Sequence, residues 1–423
     1  TLKILIKMSY LNKISDKSSI FLFISLYATL LIGFFLGEDL TGGAFADYLN
    51  QKKISQNFSL NFSDSFLNYD SNSPSSRHSP ILIMILSIFE KLKLNDLVIR
   101  LINLQIAPVC SLIFYNCLRL KFPKIRKNFI LIFSAIFFLS PTIRSLSIWP
   151  DSRIYGLTFF ILSIYFFLNF QNKKTLNFAI YNVILLSISS YFSPNFSVFS
   201  IYFFVNYLSY YKISKNILLI FLLNIALAFP AFYYLFILDV NFLKQAAISN
   251  IPLIQRFNPA NKIILISSIF FFYYIPFLAL HEDKFKFLKK IFNYKRLLIT
   301  LSFGFLLIYF FSYEQRFTGG GIFFHISNLI FNNNLLLFLI FCFSLPIIIE
   351  ISKQNIKNLF IFILVLFSNP QLTIYHKYYD PLFWILLLLL MTIKLNLSKI
   401  FDLKNMFIFY LFSLSFLLIA LFK

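Results

Sequence analysis

The sequence predicts an all-helical protein that crosses a membrane many times. Of its 423 residues, 59% are hydrophobic and only 13% are charged, whereas globular proteins carry about 25% charged residues. The apolar residues gather in runs of about 20, the length that crosses a bilayer as a helix. Short clusters of Lys and Arg separate these runs, so the net charge of +22 indicates membrane topology rather than nucleic-acid binding.

The apolar runs predict about thirteen transmembrane helices, with about eleven as the lower bound, in a single transmembrane domain over residues 1–423. The predicted spans are 19–36, 97–118, 128–146, 153–170, 176–193, 196–211, 216–238, 262–280, 297–312, 334–350, 358–373, 381–394 and 405–422. With the N-terminus in the cytoplasm, the cytoplasmic side receives most of the 38 Lys and Arg residues but few of the 16 Asp and Glu residues. The wealth of Ile, Lys, Asn and Phe is typical of an AT-rich bacterial genome. We therefore expect a multi-pass protein of the bacterial inner membrane.

Residues 37–96 form a long first loop on the predicted non-cytoplasmic side. Residues 81–92 are apolar but too short to span a bilayer, which predicts a helix lying at the membrane interface. We expect residues 42–53 to form a second short helix. Two interfacial helices resting on a bundle would form a platform over it.

The first loop begins with two neighbouring acids, Glu38 and Asp39, directly after the first predicted span. Charge beside the bilayer is costly and is usually retained for a function. A carboxylate there can take a proton from an incoming hydroxyl group. The alternative is that the pair only marks a helix end in water. Asp47 faces the same cavity if residues from 42 onward are helical, and otherwise lies on a solvated surface.

Two further polar groups lie on the same predicted side. Arg77 and His78 close the first loop, where they either bind a phosphate or orient a sugar, or form an ordinary polar turn. Arg144, Asp151 and Arg153 fill a short connection between two predicted spans. The planar guanidinium group suits phosphate oxygens, and the alternative is an ion pair between Asp151 and either arginine that locks the turn.

The densest polar group beyond the first loop is the segment 375–381. His376, Lys377, Tyr378 and Asp380 lie there just before a late predicted span. The two cations would hold a lipid-linked phosphate and offset charge on a leaving group. An aromatic belt at the membrane interface explains the tyrosines of the segment but not His376 beside Lys377.

Several catalytic signatures are missing from the sequence. There is no Gly-rich nucleotide loop, no His/Cys metal spacing and no Ser nucleophile elbow. The three cysteines, Cys110, Cys117 and Cys342, fall inside apolar runs and indicate neither disulfides nor a zinc site. We therefore expect no cofactor and no metal.

The arrangement resembles the GT-C glycosyltransferases, integral membrane enzymes that use polyprenyl-phosphate-linked sugars. The acidic pair Glu38 and Asp39 matches the acidic motif of that family in the first loop. The segment 375–381 is similar to a basic, tyrosine-bearing segment before a late span in related bacterial proteins, and residues 144–151 look like a stretch that recurs in bacterial members. The chain lacks the large soluble C-terminal domain and the metal-binding acidic set of oligosaccharyltransferases.

The resemblance implies an inverting transfer of a sugar from a polyprenyl-phosphate donor to a hydroxyl of a glycan, lipid or protein, for building the cell envelope. Asp39 would be the general base, supported by Glu38 or Asp47. The substrate-binding residues would be Asp47, Arg77, His78, Arg144, Asp151, Arg153, His376, Lys377, Tyr378 and Asp380. The alternative function is a lipid-linked saccharide flippase or a small-molecule transporter. Two observations count against it: the sequence has no convincing internal repeat, and its polar residues concentrate on one side of the membrane.

Overall fold

The computed structural model describes residues 15–69, 80–237, 258–281, 287, 289, 291, 293–314, 319–369, 371 and 373–422. Within these ranges the regular elements are helices and no β-strand occurs. The first α-helices in chain order are α1 Asp16–Phe35, α2 Ala44–Leu60, α3 Phe62–Leu67, α4 Ile81–Lys91, α5 Asp96–Leu104, α6 Ile106–Lys121, α7 Lys127–Ser134, α8 Pro141–Ile148, α9 Ser152–Lys173 and α10 Leu176–Phe192. The remaining ones are α11 Phe199–Tyr211, α12 Lys215–Phe232, α13 Pro259–Leu278, α14 Tyr294–Tyr309, α15 Gly321–Phe331, α16 Leu335–Gln354, α17 Ile356–Ser368, α18 Leu382–Ile385 and α19 Leu403–Leu421.

Capping side chains fix where several of the long helices begin. Ser15 accepts a hydrogen bond from the Ser18 amide before α1, Asn95 caps α5 in the same way, and Asp151 caps α9. Such side-chain oxygens satisfy first-turn amides that have no partner within the helix. The predicted spans at 19–36, 97–118 and 153–170 therefore start within a few residues of the observed helices.

Seven helices in the described ranges are long and apolar enough to cross a membrane, or eight if one bent pair counts as a span. The seven are Asp16–Phe35, Asp96–Lys121, Ser152–Lys173, Lys215–Ile237, Pro259–Leu278, Leu335–Gln354 and Leu403–Leu421. The molecule is thus an all-helical, multi-pass membrane protein. Four further apolar helices have only 10–17 residues, shorter than the usual length of a membrane span. The total of about thirteen spans therefore stays a prediction.

The span predicted at 128–146 is broken rather than continuous. The chain bends by 68° between Lys127–Leu139 and Pro141–Ile148. Ser140 ends the first half and caps α8 by accepting a hydrogen bond from the Ile143 amide, and Pro141 takes the first helical position. Proline is common at the first position of a helix because it has no amide hydrogen that would be left without an acceptor. All residues of α8 are buried, so this short helix lies inside the protein.

The run predicted as a span at 381–394 also differs. It contains the short helix α18, one π-turn at Leu386–Leu390 and extended backbone at Met391, and the side chains of all these residues are buried. A leucine-rich run has the same sequence signature whether it faces lipid or other protein segments. Here it faces protein.

The first loop contains both short helices expected from the sequence. Helix α4 matches the predicted 81–92, whereas α2 is longer than the predicted 42–53. The two helices meet in a small apolar cluster that includes Ile54, Phe58 and Ile83. Their place at the membrane interface stays a prediction.

Burial separates central helices from peripheral ones. The apolar window of α13 is 78% buried, while that of Lys215–Ile237 is only 17% buried. Peripheral helices expose large apolar side chains, such as Phe21 on α1 and Phe229 on α12. Continuous apolar surface of this kind is unfavourable in water and suits lipid.

Candidate functional site

One end of the helix bundle gathers the polar segments that the sequence singles out. Helix α1 ends and α9 begins there, and Trp149 Nε1 donates to the Glu38 carbonyl at 3.0 Å, so the loop 37–43 lies against residues 149–153. The segment 373–380 joins them, because the Thr142 amide donates to Asp380 Oδ2 at 3.1 Å. We call this the acidic end of the bundle.

Glu38 forms a buried, two-pronged ion pair with Arg144. Arg144 Nε lies 2.6 Å from Glu38 Oε1 and Nη2 lies 2.7 Å from Oε2, with side-chain exposures of only 5% and 9%. Arg144 also donates to the Thr29 carbonyl and the Phe138 carbonyl. Both Glu38 oxygens are thus occupied, and the pair ties the first loop to α8. A Cβ at Gly33 would overlap Glu38 Oε2, so glycine is needed there for the pair to fit.

Asp39 shapes the start of α2. Its Oδ2 accepts hydrogen bonds from the amides of Gly43, at 3.0 Å, and Phe45, at 3.1 Å. Thr41 Oγ1 donates to Oδ1 at the longer distance of 3.3 Å. The carboxylate therefore lies at the positive end of the α2 dipole, held through one oxygen more firmly than through the other.

The remaining polar residues of the acidic end converge from three segments far apart in the chain. Lys377 Nζ lies 3.6 Å from Asp47 Oδ2 on α2. Asp151 Oδ1 accepts from the Arg153 amide at 2.7 Å, and the Arg153 guanidinium carbon lies 4.1 Å from the Tyr378 ring centre. We define the outer cluster as Asp39, Asp47, Asp151, Arg153, Lys377 and Tyr378.

Electrostatic interactions connect the members of the outer cluster. Burial lowers the pKa of Lys377 below the ordinary 10.5, and the charge of Arg153 lowers it further, while Asp151, Asp47 and Asp39 act in the opposite direction. Burial is also the main cause of the raised pKa of the Tyr378 phenol. Lys377, whose side chain is 12% exposed, and the partly buried Tyr378 thus lie near carboxylates of the outer cluster.

One guanidinium nitrogen in the outer cluster lacks an acceptor. Arg153 Nη1 is buried and has no hydrogen-bond partner among the described residues. Buried polar groups are nearly always paired, so this nitrogen is placed to donate to an acceptor such as a water molecule or an anion. A phosphate oxygen is the acceptor that best matches a guanidinium donor.

Asp380 and His376 point away from the outer cluster. Asp380 Oδ2 accepts from the Ser140 hydroxyl at 2.7 Å as well as from Thr142, and burial raises the pKa of Asp380 although these hydrogen bonds oppose the shift. His376 Nε2 lies 3.0 Å from the Tyr273 hydroxyl, and its ring packs against Phe416. The neighbours His376 and Lys377 thus face different surroundings, and their joint action on one phosphate stays a prediction.

A small cavity of about 10 Å³ lies beside this second group. Ser140, Tyr273, Asp380 and Trp384 are among its lining residues. Its volume is about that of one water molecule. The group around Asp380 thus has room for one water but not for a sugar, and it serves to hold the segment 373–380 against α8.

The glycine run at 319–321 helps to position the same segment. The Gly320 amide donates to the Ile374 carbonyl at 2.7 Å. A Cβ at Gly319 would lie 2.7 Å from that carbonyl oxygen, too close for any side chain. The glycines therefore permit close backbone packing next to the outer cluster.

Several predicted site residues lie outside the outer cluster, and one residue near the site was not predicted. Arg77 and His78 fall outside the described residues. Arg144 pairs with Glu38 rather than with Asp151, which was one of the two ion-pair alternatives that the sequence offered. Sequence reasoning missed Arg100, whose guanidinium stacks on Trp149 at 3.6 Å beneath the first loop. A charge inside an apolar span is the signal that could have found it.

No protein-family model matches this chain, and no curated protein matches it. In the part of the chain that the structure describes, no group of three or more His, Cys, Asp or Glu side chains is placed to hold a metal ion.

Proposed function

We propose that the protein is a membrane glycosyltransferase that moves a sugar from a polyprenyl-phosphate donor to an acceptor hydroxyl at the acidic end. The observation that carries the proposal is the buried, unpaired Arg153 Nη1, which lies beside Lys377 and three carboxylates. Such a site offers cations to a departing phosphate and a base to an incoming hydroxyl. The same proposal includes a GT-C-like architecture with about thirteen spans. It also places the acidic end on the non-cytoplasmic side of a bacterial inner membrane.

Asp39 is the proposed general base. Its Oδ2 is engaged by two amides, whereas Oδ1 has one long contact among the described residues, so Oδ1 is the atom that can accept a proton. The acceptor O–H gives its proton to Oδ1 while the acceptor oxygen bonds to the anomeric carbon. The bond from that carbon to the phosphate oxygen breaks, its electron pair stays on the phosphate, and the configuration inverts.

Arg153 and Lys377 would stabilise the polyprenyl phosphate that leaves. Both are cations next to the carboxylates, and preorganised charges act most strongly where water is excluded. Asp47 orients the Lys377 ammonium through their contact, and Asp151 caps the start of α9, the helix that carries Arg153. Because their oxygens and nitrogens are paired with each other, Glu38 and Arg144 are positioning residues in this mechanism.

The test is a transfer assay with the purified full-length chain. Short-chain polyprenyl-phosphate hexoses and pentoses are supplied with an acceptor extract from cell envelopes, and release of polyprenyl phosphate is measured by chromatography. We expect release that depends on the acceptor and yields a new glycosidic bond. Movement of the intact lipid-linked sugar across vesicle membranes without any release would instead support the flippase alternative.

The lowered pKa of Lys377 predicts how donor binding depends on pH. In the wild type, the KM for the donor rises with pH as Lys377 loses its proton, and this begins below the ordinary pKa of 10.5. In Lys377→Arg the rise disappears, because arginine keeps its charge at all these pH values. The measurement is the KM of both forms from neutral to alkaline pH. Identical profiles for the two forms would remove Lys377 from donor binding.

A further inference from the structure

A second cavity, at the opposite end of the bundle from the outer cluster, has no role in the proposed transfer. It lies where α6 ends and α7 begins, and it measures about 390 Å³. That volume is within the usual range for small-molecule sites, about 300–1,000 Å³. We call it the basic cavity.

The lining of the basic cavity is positive and, among the described residues, includes no Asp or Glu. Its cations are Arg119 near the end of α6, Arg126 directly before α7, and Lys127 at the first position of α7. No side chain caps the first turn of α7, so the amides of that turn add to the positive potential. Three cationic side chains and an uncapped helix start around one hollow favour a negatively charged ligand.

The other walls of the basic cavity are amphiphilic. Leu120, Phe122 and Ile130 contribute apolar surface, and Asn116 and Tyr165 contribute polar groups. Phe129 and Ile130 are buried just inside, whereas Arg126 and Lys127 are exposed. A ligand that matches this order carries its negative charge at the exterior and an apolar chain along the helices.

We propose that the basic cavity binds the phosphate head group of an anionic lipid from the adjacent membrane leaflet. Basic pockets between membrane helices recognise such head groups through charge-assisted hydrogen bonds. The apolar wall distinguishes a lipid from a free phosphate ester, because an acyl chain can pack against it and a free phosphate has no apolar group to do so. This site is independent of the outer cluster and of the proposed sugar transfer.

The test measures lipid binding to the purified full chain by native mass spectrometry. The probes are dioleoylphosphatidylglycerol and, as the uncharged comparison, dioleoylphosphatidylcholine, and inorganic phosphate serves as competitor. The variant is Arg119→Gln/Arg126→Gln/Lys127→Gln. The matched control is Lys173→Gln/Lys174→Gln/Lys215→Gln, which removes the same charge from exposed lysines at the same end but outside the cavity.

We expect the anionic lipid to be retained more tightly than the neutral one, and the cavity variant to weaken its retention by about tenfold or more. The control should stay within about twofold of the wild type, because its three lysines do not line the basic cavity. Equal weakening in both variants, or equal retention of the two lipids, would overturn the proposal. Displacement of the lipid by phosphate at similar concentrations would overturn its lipid part. If the triple variant does not fold, the single change Arg119→Gln provides the same comparison.

Discussion

Asp39→Asn is expected to lower sugar transfer by a factor of about 10²–10⁴, the usual contribution of a general base. The amide oxygen of Asn can still accept from the amides of Gly43 and Phe45, so the start of α2 keeps its shape. The amide nitrogen in place of Oδ1 cannot take a proton. The measurement is the rate of polyprenyl phosphate release at saturating donor, with membrane insertion checked by unchanged expression and elution.

Two comparisons decide whether this loss belongs to Asp39. Asp64→Asn is the matched control, because Asp64 is exposed on α3 and bonds only locally, to Asn68 and Asn61 atoms, among the described residues. It should leave transfer unchanged. Asp47→Asn should have a smaller effect than Asp39→Asn, since Asp47 orients Lys377 and its side chain is 40% exposed. Normal transfer in Asp39→Asn with loss in Asp47→Asn would move the base to Asp47.

Arg144→Met is expected to destabilise the protein by about 3–5 kcal/mol, because it leaves the Glu38 carboxylate buried without its partner. The double variant Arg144→Met/Glu38→Leu should recover much of this loss, since it removes both charges and replaces them with apolar groups. The measurement is the free energy of unfolding in mixed detergent and SDS.

The matched control for the ion pair is Lys52→Met. Lys52 and Asp96 lie 2.9 Å apart, but their side chains are 28% and 43% exposed. An exposed pair contributes about 0–1 kcal/mol, so this change should have little effect. If Arg144→Met destabilises the protein no more than Lys52→Met does, the pair of Glu38 and Arg144 does not hold the first loop in place.

The sequence predicts the long helices well because their signals are local. An apolar run, a capping side chain such as Asn95 and a flanking charge all lie within one helix length. The break before α8 was not predicted, although Ser140 and Pro141 are a standard helix start. The predicted span nevertheless runs through them to residue 146, because hydropathy cannot show that α8 is enclosed by protein.

The candidate site shows the same limit. The sequence identifies Glu38 and Asp39 as neighbours of equal chemistry but cannot tell which one turns inward. That choice depends on Arg144, which lies 106 positions along the chain from Glu38. The same holds for His376 and Lys377, whose partners Tyr273 and Asp47 come from other helices. The pairing of these side chains was therefore not predictable from the sequence.

Helix α8 has a consequence for how the acidic end assembles. Its residues bond to Glu38 in the first loop, to Asp380 near the end of the chain and, through the Leu146 carbonyl, to Asn103 on α5. A segment that closes three long-range contacts at once makes them mutually dependent. We therefore expect these three segments to assemble together, once the residues around 380 have been synthesised.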